Sequence, residues 1–336
     1  MRRIPRILEE VRYNKRLYGG LAKANRKYSP ATDMAAFPFP QAIQLQTINA
    51  CQAACIMCPY PTVKDNFPRG RMADDLFDKI TDEIAQHPEV STFIPMLQNE
   101  PFLDKRLFDK VARFKQRTGG RVAVELVTNG AFLTDENIAK MRDAELDILD
   151  VSLDAINRET YEKIRVGLDY DAVMAGVERV IAAKLPRTTL HVRMVLQRGN
   201  VREAKAFARS WRARGVAVFT YMTNDRAGVI SDFNARIRPT EEELGPAHRL
   251  GRAAFRRWIG HCPIPFSTTN ILHDGSMLLC VHDWNRNEIL GNVRDSMISE
   301  LWNGERMKEL RRLVSQRRYD QVPSCQGCSL WRDGWV

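Results

Sequence analysis

No run of the ~18 uninterrupted apolar residues that a membrane-spanning helix needs occurs anywhere in the chain. The opening stretch, "MRRIPRILEEVRYNKRLYGG", has no apolar block of a secretory signal, because charges recur every few residues. It reads as a solvated or domain-packed basic helix, with a membrane-surface helix as the alternative. Internal repeats and low-complexity tracts are also missing. No cysteine lies between residues 59 and 261. Without an export signal the default compartment is the cytoplasm, a reducing place where disulfides are rare, and seven cysteines cannot all pair. The net charge of +10 invites an acidic partner, but the basic residues are spread out. "RSWRARG" and "RRLVSQRR" read as solvated helix faces, and no basic–aromatic module is visible, so nucleic acid is not expected.

What is present suits a folded enzyme: 336 residues, 44% hydrophobic, enough for a large core plus a smaller second unit. From about residue 40 to 221 the pattern alternates. Strands are expected at 42–48, 91–97, 121–127, within 146–155, at 188–196 and at 216–222. Helices are expected at 72–87, 104–117, 134–144, around 158–165, 169–184 and 201–215. Repeated β–α units predict an α/β fold, a partial (β/α)6 TIM-like barrel of parallel strands with helices outside. A small C-terminal α+β domain follows it. Its "TNILHDGSMLLCV" reads as a hairpin turning at Asp274-Gly275, and residues 296–318 read as helical. The expected organisation is a basic extension 1–39, a barrel 40–225, a linker 226–260 and a metal-binding domain 261–336.

The cysteines fall into two sets. Cys51, Cys55 and Cys58 follow the first strand in "CQAACIMC", spaced C-x3-C-x2-C. Soft thiolates suit iron–sulfur or zinc. A structural zinc site wants four ligands, and no fourth Cys or nearby His supplies one. A four-iron cluster held by three thiolates leaves one iron open to bind and activate a small molecule. Cys262, Cys280, Cys325 and Cys328 form the second set, and on spacing alone it could be a four-cysteine zinc site stapling the small domain.

"CQAACIMC" resembles the cluster motif of the radical S-adenosylmethionine (SAM) enzymes, on the expected loop after the first barrel strand. The resemblance spans most of residues 40–225. It implies a [4Fe–4S] cluster whose open iron is chelated by SAM. Reduction then cleaves SAM to a 5′-deoxyadenosyl radical that abstracts a substrate hydrogen. "MLQNEP" occupies the slot of the family's Gly-Gly-Glu-Pro stretch; Gln98 and Asn99 replace both glycines, and Glu100 is left as acceptor for the SAM ammonium. "LVTNGAFLT" supplies Asn129, and "VSLDA" supplies Ser152 and Asp154 facing the ribose. "HVRMVLQRGN" supplies Arg193 for the SAM carboxylate and Asn200 for a loop contact. The C-terminal region resembles the SPASM extension or its shorter twitch form, with four thiolates around one auxiliary [4Fe–4S] cluster.

The resemblance implies a radical SAM oxidoreductase. Its expected substrate is a small polar molecule such as a sugar or aminocyclitol, with an anionic or nucleotide-linked substrate as a further option. The auxiliary cluster would accept the electron, and a flavodoxin or ferredoxin would be the reductant. The alternatives are a maturase acting on a peptide or protein and a redox-neutral epimerase. An epimerase would need a hydrogen donor, and all seven cysteines are assigned to clusters. Tyr221, Asn224 and Arg226 after the sixth strand, and His282, Asp283 and Trp284 after Cys280, are the candidates for substrate contact or catalysis.

Overall fold

The computed structural model of the protein describes residues 38–245 and 261–332. The expected basic extension lies outside the described residues except for Pro38 and Phe39, and so does the 246–260 part of the expected linker. Six parallel strands stand side by side in chain order: β1 Ala42–Leu45, β2 Thr92–Ile94, β3 Ala123–Thr128, β4 Ile148–Ser152, β5 Thr189–Leu196 and β6 Ala217–Met222. This is the partial, unclosed barrel that the alternation predicts.

The connecting helices form where apolar residues recur at helical spacing. Asp74–Gln86 buries Leu76, Phe77, Ile80 and Ile84. Leu107–Arg117 buries Val111 and Phe114, and Phe114 stacks on Phe93 of β2 at 4.1 Å between ring centroids. Thr134, Asn157 and Asp169 cap the helices Asp135–Asp143, Arg158–Ile164 and Tyr170–Ala183, each side chain accepting from a backbone N–H of the first turn.

The C-terminal region does not stand apart from this sheet. Strand β7, Thr268–Ile271, pairs in parallel with β1 on the edge opposite β2. β8, Ser276–Leu278, and β9, Ile289–Asn292, then continue antiparallel, giving one nine-stranded sheet. The hairpin turns at Asp274-Gly275 as expected. Gly275 sits at φ +93°, and a Cβ there would meet Asn292 Oδ1 at 2.4 Å, so both dihedral and space call for glycine. The stretch expected to be helical over 296–318 divides into Ile298–Trp302 and Glu305–Ser315. Gly304 is the break: at φ −66°, ψ 158° it leaves the helical region and serves as N-cap of the second helix.

Two side chains of the helix Asp74–Gln86 fasten this region to the barrel. Glu83, 3% exposed, accepts from Ile298 N at 2.7 Å and Ser299 N at 2.8 Å, satisfying the first amides of the helix Ile298–Trp302. Lys79 Nζ donates to the carbonyls of Arg294 and Ser296. Glu83→Ala should leave both amides without a partner and lower stability by about 1–3 kcal/mol. Urea denaturation checks this: the midpoint should fall with an unchanged slope, and an unmoved midpoint would show that the carboxylate carries no load.

Candidate functional site

The exits of the six parallel strands form one end of the barrel, and the first thiol set opens it. Residues 50–58 leave β1 as an irregular loop pinned from two sides. Ala54 N and Ile56 N donate to the carbonyls of Val166 and Ile164, and Glu100 N donates to Ala50 O. Cys51, Cys55 and Cys58 carry free thiols close enough to act on one another electrostatically. Burial pushes Cys51 up to about 12 and Cys58 up to about 11, so these two bare thiols stay protonated until a cation compensates them.

The neighbouring exits present the residues singled out from the sequence. Glu100, 2% exposed, clasps two loops: its carboxylate accepts from Phe102 N, Thr128 Oγ1 and Asn129 N. Burial raises its pKa to about 7 against those three donors. Asn129 Oδ1 accepts from Gln52 of the cysteine loop and from Ala131 N, while its Nδ2 is buried with no hydrogen-bond partner among the described residues. Ser152 is buried at the end of β4, opposite Arg193 of β5. Asp154 is fully buried; it accepts from Val195 N at 2.6 Å and from Arg165, Nε at 2.7 Å and Nη2 at 2.6 Å. Asn200 ties the same exits together by donating to Asp154 O and Val195 O. Arg193 is engaged by Asp150 and by Glu125, and lies 4.8 Å over the Tyr221 ring. Sequence reading missed Arg165. Its guanidinium lies 3.8 Å from Cys55 Sγ, yet in sequence it is only a basic residue ending a helix, and no motif marks it.

The second thiol set gathers from three places. Cys262 precedes β7, with its N–H on Tyr319 Oη at 3.0 Å; Cys280 follows β8; Cys325 and Cys328 lie near the end of the described chain. Each acts electrostatically on at least one of the others. Burial raises Cys262 to about 12 and Cys328 to about 11, and drives Cys280 and Cys325 well up.

Barrel loops hold this set in place. Asp225 accepts from Ser329 N at 2.9 Å, returns its own N–H to Ser329 Oγ and pairs with Arg332. Gly327, between Cys325 and Cys328, rests on the backbone after β6: a Cβ there would stand 2.6 Å from Ala227 O. Gln98 Nε2 donates to the carbonyls of Val281 and Asp283, at 3.0 and 3.3 Å. Gln98, Asp154, Arg226 and Ala227 all have φ between 52° and 60°, the left-handed region that L residues rarely adopt.

The remaining candidates divide. Tyr221, Arg226 and His282 are half-buried. Arg226 Nη1 donates to His282 Nδ1 at 2.9 Å. An arginine has no acceptor, so the imidazole proton sits on Nε2, and burial followed by the Arg226 charge pushes the ring down to about 3. The Asp283 carboxylate is taken by Asn287 N and Glu288 N, which closes its own loop. Asn224 Oδ1 accepts from Arg226 N, and Trp284 packs beside Cys51 and Cys58. The donor chemistry fits two iron–sulfur clusters: soft sulfur donors gathered as a three and a four, in surroundings that disfavour thiolate at Cys51, Cys58, Cys262, Cys280, Cys325 and Cys328 until metal charge compensates it. The orphaned Asn129 Nδ2 beside the first set fits a bound polar cosubstrate.

Comparison with known proteins agrees with this geometry. A model of the Radical SAM superfamily matches residues 45–210, and a model of an iron–sulfur cluster-binding domain, SPASM, matches residues 262–329. A tungsten-containing aldehyde ferredoxin oxidoreductase cofactor-modifying protein of Pyrococcus furiosus is 23% identical over 320 residues, 86% of this chain and 87% of that one. An AdoMet-dependent heme synthase of Methanosarcina barkeri is 29% identical over 44% of this chain and 41% of its own. Among solved structures, BtrN in complex with AdoMet and 2-DOIA superposes with a TM-score of 0.58 at 15% identity, covering 86% of this chain and 93% of its own. Streptococcus suis SuiB bound to precursor peptide SuiA gives 0.62 at 10% identity over 87% and 69%.

Two variants separate the thiol sets. Replacing Cys51, Cys55 and Cys58 together by alanine should remove the iron of the first set and leave that of the second. Gly327→Ala should do the reverse, weakening iron retention at the second set roughly tenfold or more, because the new methyl pushes the Cys325–Cys328 turn off Ala227. Iron and sulfide analysis with electron paramagnetic resonance reads both; loss of both centres in either protein would show that the sets are not independent.

Proposed function

The chain belongs to the radical SAM superfamily and carries an iron–sulfur cluster-binding domain of the SPASM type; from that premise we propose that it dehydrogenates a small polar substrate, a sugar or aminocyclitol, converting a secondary alcohol to a ketone. The observation that carries this reading is the position of Arg226. It lies in the field of Cys58 from one thiol set and Cys280 from the other, and its Nη1 donates to His282, two residues past Cys280, so one side chain links the loops of both sets. When bound, the first cluster supplies the electron that cleaves SAM to a hydrogen-abstracting 5′-deoxyadenosyl radical, and the auxiliary cluster supplies an electron acceptor.

The chain's own residues bind, orient and shield. Cys51, Cys55 and Cys58 would hold the first cluster, and Cys262, Cys280, Cys325 and Cys328 the auxiliary one. Asn129 offers its Nδ2–H, and Ser152 its hydroxyl, to the cosubstrate. Glu100, Asp154 and Arg193 act through the loops they brace, since each is already engaged by protein partners. Arg165 sets a positive charge beside Cys55. Tyr221, Arg226 and His282 face the substrate, while Asp283 shapes the loop that presents His282. A flavodoxin or ferredoxin delivers the electron. A second reading, modification of a peptide, draws support from the fold shared with SuiB bound to its precursor peptide and with anSMEcpe bound to AdoMet and a Cp18Cys peptide.

The test is anaerobic turnover of reconstituted protein with SAM, a reductant and sugars or aminocyclitols deuterated at the carbinol carbon. Equal yields of ketone and monodeuterated 5′-deoxyadenosine are expected. Deuterium transfer from a peptide side chain, with no ketone from any alcohol, would replace this reading by the second.

A further inference from the structure

Arg226 lies in the field of two other arginines, Arg165 and Arg193, and of the three it alone pairs with no carboxylate among the described residues. Arg165 is neutralised by Asp154, and Arg193 by Asp150 and Glu125. Arg226, which feels both of them along with Cys58 and Cys280, forms no ion pair with any described residue. Among the described residues its one side-chain partner is His282, whose Nδ1 accepts from Nη1. Its Nε is buried and has no hydrogen-bond partner among the described residues. The side chain as a whole is half-buried, so part of it remains open to solvent.

A poorly solvated guanidinium with an unmade N–H bond is costly, because a buried donor without an acceptor costs about 1–3 kcal/mol and more when charged. Two things could offset the charge. Net-negative clusters on the neighbouring thiols would do so through space. An N–H, however, needs an acceptor along its own direction, and field alone does not supply one. The backbone also marks the position as built for a purpose: Arg226 is at φ 52° and Ala227 at φ 58°, a conformation that L residues rarely adopt. Asn224 Oδ1 and the Asp225 clamp hold the turn in that shape.

We propose that Arg226, with the Nε2–H of His282 beside it, is the receptor for an oxyanion on the substrate, a carboxylate or a phosphate, so that the enzyme acts on an acid or a phosphorylated alcohol. This deepens the dehydrogenase reading and rests on it for the reaction, but binding can be measured without turnover. A guanidinium fork matches either group with two parallel hydrogen bonds, which a single ammonium cannot do.

The experiment uses the reconstituted holoenzyme with SAM at constant ionic strength. Sodium acetate and inorganic phosphate are titrated in separate arms by calorimetry, against chloride as control. Wild type should bind one of the two. Arg226→Gln should weaken that binding roughly ten- to hundredfold. Arg226→Lys, which keeps the charge and is the safer variant for folding, should fall between, because it loses the fork. The arm that responds tells carboxylate from phosphate. Equal isotherms for wild type and both variants would overturn the proposal. So would a shift of the auxiliary centre's midpoint potential in Arg226→Gln with the isotherm unmoved, which would make the arginine a counter-charge of the cluster. Absence of ketone in the turnover assay, with the isotherms as expected, would instead remove the dehydrogenase reading and leave the oxyanion site standing.

Discussion

Strand β1 carries backbone ladders on both edges, to β2 on one side and β7 on the other, and the rest of the site depends on that shared strand. The cysteine loop leaves β1 directly, and Cys262 and Cys280 flank the hairpin that begins with β7. Parallel pairing fixes the register, Ala42 against Thr268 and Leu45 against Ile271. A slip by one residue would turn every side chain of the added strand to the wrong face. The loops that carry Cys51, Cys55, Cys58, Cys262 and Cys280 therefore spring from one continuous sheet.

Onto this frame the barrel loops add clamps. Gln98, Asp225 and Arg226 reach the auxiliary loops from the exits of β2 and β6, over sequence separations of 183, 104 and 56 residues. Gln98 and Arg226 combine a left-handed backbone with a side chain that bridges to the second set. Strain of order 1–3 kcal/mol per residue persists only where the surroundings over-determine it, and here the bridging hydrogen bonds do so. At Gln98 a dihedral that glycine would adopt freely carries a side chain instead, and that side chain makes a fastening that glycine could not make.

Some of the site was legible because its signals are local. The C-x3-C-x2-C spacing, the β–α alternation and the Asp274-Gly275 turn depend on residues within a few positions of each other. The Thr128-Asn129-Gly130 segment was found in the same way. Arg193 shows the limit: its place at the barrel mouth was foreseen, but Asp150 on the adjacent strand β4 and Glu125 on β3 beyond it already engage its guanidinium. Asp283 was a candidate by proximity to Cys280, yet its carboxylate is used by the amides of its own loop. The helix expected across 296–318 ignored Gly304, whose extended ψ ends one helix and starts the next.

By itself the sequence determined the chemistry: which thiols exist, their division into three and four, and a run of parallel strands to carry them. Ligand type and strand periodicity are properties of neighbouring residues and survive without knowledge of the fold. Tertiary structure alone decided the electrostatics and the assembly. It chose which arginines are neutralised, brought Arg165 to Cys55, seated Gly327 against Ala227 and laid β7 beside β1. Each of these rests on groups far apart in the chain, and whether a buried charge or N–H finds its partner is settled only when the chain packs.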